Sequence, residues 1–582
     1  MSAEFPMKLD SMLLQELLEV ARGHRPADLC FCGGQVINVF SGHVDQVDLA
    51  IHRGFVVGSG SYAARERVEL DGAFVAPGFI DGHLHIESTL LSPDQFCAAV
   101  LPHGTSAVVA DPHEIANVLG VDGIRYFLAA TEHLPLDVFF NLPSCVPASP
   151  LETSGATLRA CDLHSLLPHP RIIGLAEMMN FPGLIHAVPE VLDKVLLFQD
   201  LICDGHAPQL SGLGLNAYLT AGIRSDHECT ALVEAREKLD KGMVIMLREG
   251  SQSKDLAQLL PLVDQHTWPR CMLVSDDCHP DDLIHEGHMN AVINRAMSLG
   301  LDPILAITLA TWTPAAYFRL ARRGALAPGY QADFSISPTL NPWKPQRVFK
   351  GGQEVASEGR LLIDPESWPQ PQAPASPMCL SRLAAGDLAV TAQAGRLRVI
   401  GVQEGSLLTR SILVTPKISG GEVIPDLDHD ILKLVVCNRY QPDKPPAVGF
   451  IQGFGLTQGA IATTVAHDAH NIIAVGTSDD DILAVVESLR QTGGGMAIGS
   501  ASEAVTMLPL PLAGLMSTWP VERVSEQLEL LKRRARSWGS PLKNPFLALS
   551  FMALGVIPEL KLTDLGLVDV TTFSLVPLFE AG

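Results

Sequence analysis

Val75-Ala-Pro-Gly-Phe-Ile-Asp-Gly-His-Leu-His-Ile-Glu-Ser-Thr89 is the stretch from which the rest of the chain can be organised. It reads as a short apolar strand that stops on two histidines. In an extended chain, residues two apart point to the same side, so His83 and His85 can present both imidazoles to one point in space. Two neutral imidazoles are a common start of a Zn, Mn or Fe site, and a catalytic ion needs at least one further ligand and an open position. A lone His-x-His is more often a satisfied core or surface pair. The assignment therefore depends on what recurs downstream.

What recurs is a rhythm of short apolar runs that end on polar residues. Ser106–Ala110 leads to Asp111 and His113, Val138–Leu142 to Ser144, Ile172–Ala176 to Glu177, and Leu201–Cys203 to His206. Ala221–Ile223 leads to His227, Met243–Leu247 to Glu249, and Cys271–Val274 to Asp276. With His83, the successive polar ends lie 21 to 33 residues apart, about the length of one βα unit. Eight such units make a (β/α)8 barrel, in which chemistry sits at the C-terminal ends of the strands.

The flanks have a different texture. Ser11–Arg22 reads as a helix with Ser11 as its N-cap. Ala27–Phe31, Gln35–Val39, Val47–Ile51 and Phe55–Val57 are short apolar runs between Gly-containing turns, the pattern of a small antiparallel sheet. A helix over Ile304–Arg322 closes the barrel, and Ala325–Leu362 returns to the small sheet. The expected division is a leading helix and the first part of a small β-sandwich domain over 1–74, the catalytic barrel over 75–324, and the second part of the sandwich over 325–363. A Pro-rich linker over 364–379 and a C-terminal domain of alternating strands and helices over 380–582 follow. The fold class is α/β: a TIM-like (β/α)8 barrel with a small flanking β-sandwich and an additional C-terminal α/β domain.

Composition sets outer limits. The 582 residues suggest two to four domains, and a 47% hydrophobic content supports large cores. A formal net charge of −23 disfavours a nucleic-acid backbone as partner, and a small neutral or cationic ligand fits better. The eleven cysteines show no Cys-x-x-Cys spacing, which points to a reducing cytoplasm. Met1 to Asp10 does not read as a leader, and no apolar run is long enough to span a membrane.

His83, His85, Glu177, His206, His227 and Asp276 together would bind two divalent ions with Glu177 bridging them. Such a pair can hold a shared water as hydroxide, because metal binding lowers the pKa of water from 15.7 towards ~7. Asp276 would ligate one ion and also shuttle the hydroxide's proton, with His227 and Glu249 as the other candidates for that step.

Asp81-Gly-His83-Leu-His85 after Pro77-Gly-Phe-Ile, with the later strand-end histidines and aspartate, resembles the amidohydrolase superfamily. The chain resembles its bacterial adenine deaminases more closely, through Ala176-Glu177-Met-Met-Asn180-Phe-Pro-Gly183, Asp204-Gly-His206-Ala-Pro208, Ser225-Asp-His227-Glu228, Leu247-Arg-Glu-Gly-Ser251, Val274-Ser-Asp276-Asp277 and Thr464-Val-Ala-His467-Asp468-Ala-His470-Asn471. The similarity covers nearly the whole chain, the third domain included. Pro425–Leu432 and the long Pro-rich linker depart from the family pattern. In that family a glutamate bridges the metals where many relatives use a carboxylated lysine, and Glu177 matches it.

The resemblance implies hydrolytic deamination of adenine to hypoxanthine and ammonia by metal-activated hydroxide at C6. It also implies two divalent ions, Mn2+ or Fe2+ ahead of Zn2+. A homo-oligomer, a dimer by preference, is the expected assembly. Purine recognition falls to Glu249, Ser251, His113 or Glu114, because apolar contacts alone discriminate poorly between isosteres. Glu87, Asp277, Arg248 and Glu228 are candidates to orient the ligands through hydrogen bonds. His467, Asp468 and His470 would cap the barrel mouth. The alternatives are hydrolysis of a cyclic amide, against which the glutamate in place of a strand-four lysine argues, another aminopurine, or a non-catalytic scaffold, against which the complete ligand set argues.

Overall fold

The computed structural model describes residues 9–251, 253–403 and 406–580. The reading of the N-terminus falls largely on Met1 to Lys8, outside those residues. Eight parallel strands form the central element: β1 (Phe79–Leu84), β2 (Thr105–Ala110), β3 (Asp137–Leu142), β4 (Ile172–Met178), β5 (Ile202–Gly205), β6 (Ser225–Asp226), β7 (Val244–Arg248) and β8 (Cys271–Val274). They pair in chain order as two arcs, β1 to β5 and β6 to β8. Two junctions close the ring. Arg224 N donates to Cys203 O at 3.0 Å between β5 and β6, and Asp276 N donates to His83 O at 3.0 Å between β8 and β1.

Apart from the two-residue β6, the strands carry apolar residues on both faces because both are covered, as parallel sheets require. Ile80, Ala107, Val109, Met246, Met272 and Val274 fill the barrel interior. Their neighbours Phe79, Val108, Ile245, Leu247 and Leu273 face the outer helices as part of the main core.

Several local expectations change. The opening stretch is two strands, not one. Phe74–Pro77 pairs with Phe334–Ser337 in the flanking domain, and the chain switches partner at Gly78, where a Cβ would lie 2.3 Å from Ser106 Oγ. The closing helix is also two, Pro303–Leu309 and Trp312–Tyr317. The ring of Pro314 would clash with the carbonyl four residues back in a continuous helix, so the chain restarts with Pro314 in a first turn. Asp10, not Ser11, caps the leading helix, accepting from Leu13 N at 2.8 Å. The sixth strand lies at Ser225–Asp226 instead of Ala221–Ile223, because Ala221 ends the preceding helix and Gly222 turns the chain at φ +107°.

The flanking domain is a sandwich of a four-stranded and a seven-stranded sheet, mixed where only antiparallel pairing was expected. Ala27–Cys32 runs parallel to Ala64–Glu69. Its core is an aromatic cluster, with Phe31 edge-on at 5.0 Å to both Phe334 and Phe349.

Beyond the linker, the third domain is built on one nine-stranded sheet instead of alternating strands and helices. Its neighbours are antiparallel except Arg396–Val402 against Ala447–Gln452. Helix Asp479–Thr492 packs against it, with Ser478 as N-cap, three aspartates in its first turn and Gly493 ending it at φ +80°. Within Pro425–Leu432, Leu427–His429 forms an exposed turn in which His429 Nδ1 lies 2.7 Å from Asp426, and Ile431 and Leu432 begin a buried strand.

The third domain is fused to the barrel. Leu432, Leu434, Val465 and Phe546 belong to the same apolar cluster as Leu90, Leu91, Phe96 and Ile115. Ser517 and Leu90 are joined main chain to main chain (2.8 Å), Asp281 is bonded to Ser525 and Lys532, and Asp564 receives Thr153 N at 2.8 Å. Among the described residues no helix is long and apolar enough to cross a membrane.

One buried cation makes stability depend on pH. Lys561, on strand Leu560–Thr563, is fully buried with its Nζ donating to the carbonyls of Leu407 and Phe551, both at 3.0 Å. Burial pulls its ammonium down from 10.5 to about 7. Across that window the unfolded chain holds a proton that the folded chain does not, so stability rises from about pH 7 to about 10.5. Lys561→Met is expected to flatten this rise in denaturation midpoints taken at about pH 7.5 and about pH 10. An unaltered slope would show that another group titrates.

Candidate active site

The C-terminal strand ends converge on Glu177. This carboxylate, at the end of β4 and 3% exposed, has Oε2 at 2.6 Å from His206 Nδ1 and 3.1 Å from His227 Nε2. Its Oε1 lies 3.4 Å from His85 Nε2 and 3.6 Å from His113 Nδ1. Burial alone would raise this carboxyl, but the imidazoles of His206 and His227 outweigh it and hold it well below its ordinary value. Asp276, after β8, faces the pair from β1: its Oδ1 lies 3.3 Å from His85 Nε2 and 3.5 Å from His83 Nε2. The ring of His83 stacks on His227 at 4.0 Å. All six residues expected as ligands are thus in one place, delivered by β1, β4, β5, β6 and β8.

The donor chemistry fits divalent cations. His83, His85 and Asp276 form one set, and His83, Glu177 and His227 another, each with donor atoms within 4.8 Å of one another. The Nε2 of His83 is buried without a hydrogen-bond partner, as a nitrogen held back for an ion would be. Nδ1 of His85 is occupied by the Asp111 carbonyl at 3.1 Å, which leaves Nε2 turned to the centre. At His206 burial opposes charge, yet the carboxylates of Glu228 and Glu177 lift the imidazole to about 9. Cation binding there must displace a proton.

Around this centre lies a layer of buried polar groups. Arg248, on the interior face of β7, holds Asp276 Oδ2 at 2.8 Å and Asp255 at 3.0 Å, and is bonded to Glu228. The second oxygen of Asp276, expected to take a proton, is therefore engaged by a guanidinium. Burial raises Asp276, but His83, His85 and Arg248 outweigh it and keep it well below its ordinary value.

Glu87 accepts from Ile115 N at 3.0 Å and is pushed by burial to about 7. Asp277 accepts from Ser88 Oγ at 2.5 Å. Asp204 forms a floor to the site, accepting from Asn141 (2.7 Å), Ser225 (2.7 Å) and the Tyr317 hydroxyl (2.8 Å).

The four proposed purine-binding residues divide. His113 is drawn into the centre, 3.1 Å from Asp111 and within the same donor group as His85 and Glu177. Glu114 reaches across the domain boundary: His467 Nδ1 lies 2.6 Å from its Oε1, and His470 bonds its Oε2. The ring of His467 stacks on Phe551 at 4.5 Å. Asp468 is also buried at this junction.

Glu249 and Ser251, by contrast, leave the cluster. Glu249 follows the outward-facing Ile245 and Leu247 and lies 3.6 Å from Arg295 in a separate cavity of about 310 Å3, lined also by Lys254, Asp282 and Glu286. Ser251 Oγ accepts from His279 N at 2.7 Å.

Sequence reading missed Lys238. Its Nζ, fully buried, contacts Ala207 O at 2.7 Å and Glu234 at 2.6 Å and is bonded to Asp226, tying the segments that carry His206 and His227. The Glu234 and Lys238 spacing looks like a surface i,i+4 pair; nothing in it signals burial.

Residues 74–355 match the amidohydrolase family, and residues 406–574 match the adenine deaminase C-terminal domain. An adenine deaminase of Syntrophobacter fumaroxidans is 66% identical over 576 residues, covering 99% of this chain and all of that protein. Adenine deaminase 2 of Carboxydothermus hydrogenoformans is 46% identical over 567 residues, 97% of this chain and 99% of that one. Matched from end to end at such identities, with both domains in order, the chain belongs to the adenine deaminase family of the amidohydrolases.

Proposed function

We infer that this protein hydrolyses adenine to hypoxanthine and ammonia with the help of divalent cations. The observation that carries the reading is the convergence on Glu177 of imidazoles from four different strand ends, with Asp276 opposite, inside a chain of this family. Two cations, Mn2+ or Fe2+ by expectation, would be held by His83, His85 and Asp276 on one side and by His206 and His227 on the other, with Glu177 common to both. Bound there, such ions supply the Lewis acidity that makes water a nucleophile at neutral pH.

The chain's own groups do the rest. Arg248 fixes Asp276 in its ionised form. Asp111, His113, Glu114 and His467 form a string whose successive separations are 3.1, 3.5 and 2.6 Å. His467 tends to lose its proton on burial, but Glu114 outweighs that and lifts it to about 9. It therefore keeps a proton at neutral pH that this string can pass towards the departing amino group. The proposal extends to a cytoplasmic homodimer. All eleven cysteines are free thiols, nine of them buried, which suits a reducing compartment. The exposed Leu196, Leu213 and Val233 on the barrel's outer helices are apolar surface that a second copy would cover.

The test is ammonia release from adenine and guanine, set beside ring opening of hydantoin to its carbamoyl acid, by metal-replete protein. Adenine is expected to be the preferred substrate, chelation to abolish turnover, and Mn2+ or Fe2+ to restore it. Full activity in metal-free protein, or a preference for hydantoin, would refute the reading.

A further inference from the structure

The turn Thr464–Asn471 is held from several directions where the third domain meets the barrel mouth. His467 N donates to Ser550 O at 3.0 Å, His470 N to Ala466 O at 2.7 Å, and the Tyr440 hydroxyl to Ala469 O at 2.6 Å. Asn471 Nδ2 donates to Thr153 O at 2.8 Å, crossing to the barrel. Within this anchored turn Asp468 is 4% exposed, and its Oδ2 is buried without any hydrogen-bond partner. The residues that flank it reach the reaction centre: His467 and His470 both bond Glu114, and His113, next to Glu114, lies 3.6 Å from Glu177. An unsatisfied buried carboxylate oxygen costs stability unless a ligand completes it. Nothing local to the turn does so.

A carboxylate oxygen can only accept a hydrogen bond. Adenine offers two kinds of donor: the exocyclic amino group, which departs from C6, and the N–H of its five-membered ring. The remaining ring nitrogens are acceptors. A carboxylate fixed at the mouth is therefore matched to the ring N–H, which stays on the product and which any substituent on that nitrogen removes.

We propose that Asp468, supplied by the third domain, is a specificity-determining residue whose Oδ2 accepts the imidazole N–H of the free base, so that the enzyme reads adenine in preference to its N9-substituted derivatives. This rests on adenine as the substrate. It gives the third domain a direct part in recognition. Sites built to pair a substrate N–H reject analogues lacking it far better than apolar pockets do, because the protein group is then left buried and unpaired.

The test uses full-length, metal-replete Asp468→Ala, with Asp468→Asn as the variant that keeps side-chain volume. The readouts are adenine KM and kcat, metal content, and the inhibition constant of 9-methyladenine. The adenine KM is expected to rise about 10–100-fold with kcat changed by less than about threefold, the range of a hydrogen bond to a charged group. The inhibition constant for 9-methyladenine, which leaves the Asp468 carboxylate unpaired in the unaltered enzyme, is expected to fall, because Asp468→Ala removes that stranded charge.

A KM within about threefold of the unaltered enzyme overturns the assignment. So does an inhibition constant that climbs in step with KM, or a loss of bound metal, which would make Asp468 a ligand. Failure of the unaltered protein to release ammonia from adenine would instead refute the substrate itself.

Discussion

Glu177→Gln is expected to strip the centre of its cations, and turnover with them. The carboxylate faces four imidazoles, at 2.6 Å from His206, 3.1 Å from His227, 3.4 Å from His85 and 3.6 Å from His113. Glutamine keeps one acceptor oxygen but replaces the other with an NH2 and removes the only negative charge common to both sides of the site. Losing one partner of a buried charge pair costs ~3–5 kcal/mol, or about 10²–10⁴-fold in affinity. Metal content after dialysis should fall first. Activity should then recover only partly at high Mn2+. Two retained cations and a near-normal rate would show that Glu177 is not the shared ligand.

The second large effect is on stability and concerns Lys238. Its side chain is fully buried, and so is that of Asp226, to which it is bonded. Asp226 in turn accepts from Ala207 N at 3.1 Å and Glu228 N at 3.2 Å, the residues next to His206 and His227. Burial raises Asp226, but Lys238 outweighs it and holds the carboxyl far below its ordinary value. Lys238→Met leaves that charge buried and unpaired, a loss of about 3–5 kcal/mol.

The thermal midpoint should drop by several degrees, and retention of cations by His206 and His227 should weaken about 10–100-fold, as when groups that orient ligands are removed. Asp226→Asn added to Lys238→Met removes the stranded charge while keeping the acceptor for Ala207. It should recover much of the stability. A midpoint that Lys238→Met does not move would show that the pair holds nothing together.

How far the sequence could lead differs from residue to residue. The barrel and the six side chains that meet at its mouth were legible because both depend on local pattern. Nearly every strand is a short apolar run, and each expected ligand is a polar residue at or just after its end. Spacing by one βα unit then leaves little choice of architecture. His83, His85, Glu177, His206, His227 and Asp276 needed no knowledge of contacts to be picked out.

Glu249 shows where such reading stops. In a sheet covered on both faces, Ile245, Met246 and Leu247 are equally apolar, so hydrophobicity cannot say whether Arg248 or Glu249 looks inward. Only closure of the ring turned Arg248 onto Asp276 and Glu249 out towards Arg295. The break at Gly78 was hidden for a related reason. Two strands of different sheets read as one run, and the partner of each lies far along the chain.

By itself the sequence determined the barrel, the six side chains that gather at its centre and the presence of a third domain, because periodicity and residue chemistry are local properties. Tertiary structure alone decided which oxygen of Asp276 is free, that Lys238 is buried, and that His467 and His470 close on Glu114 from more than 350 residues away. Those outcomes depend on packing between distant segments, which fixes burial and pairing and leaves no mark in the order of residues on either one.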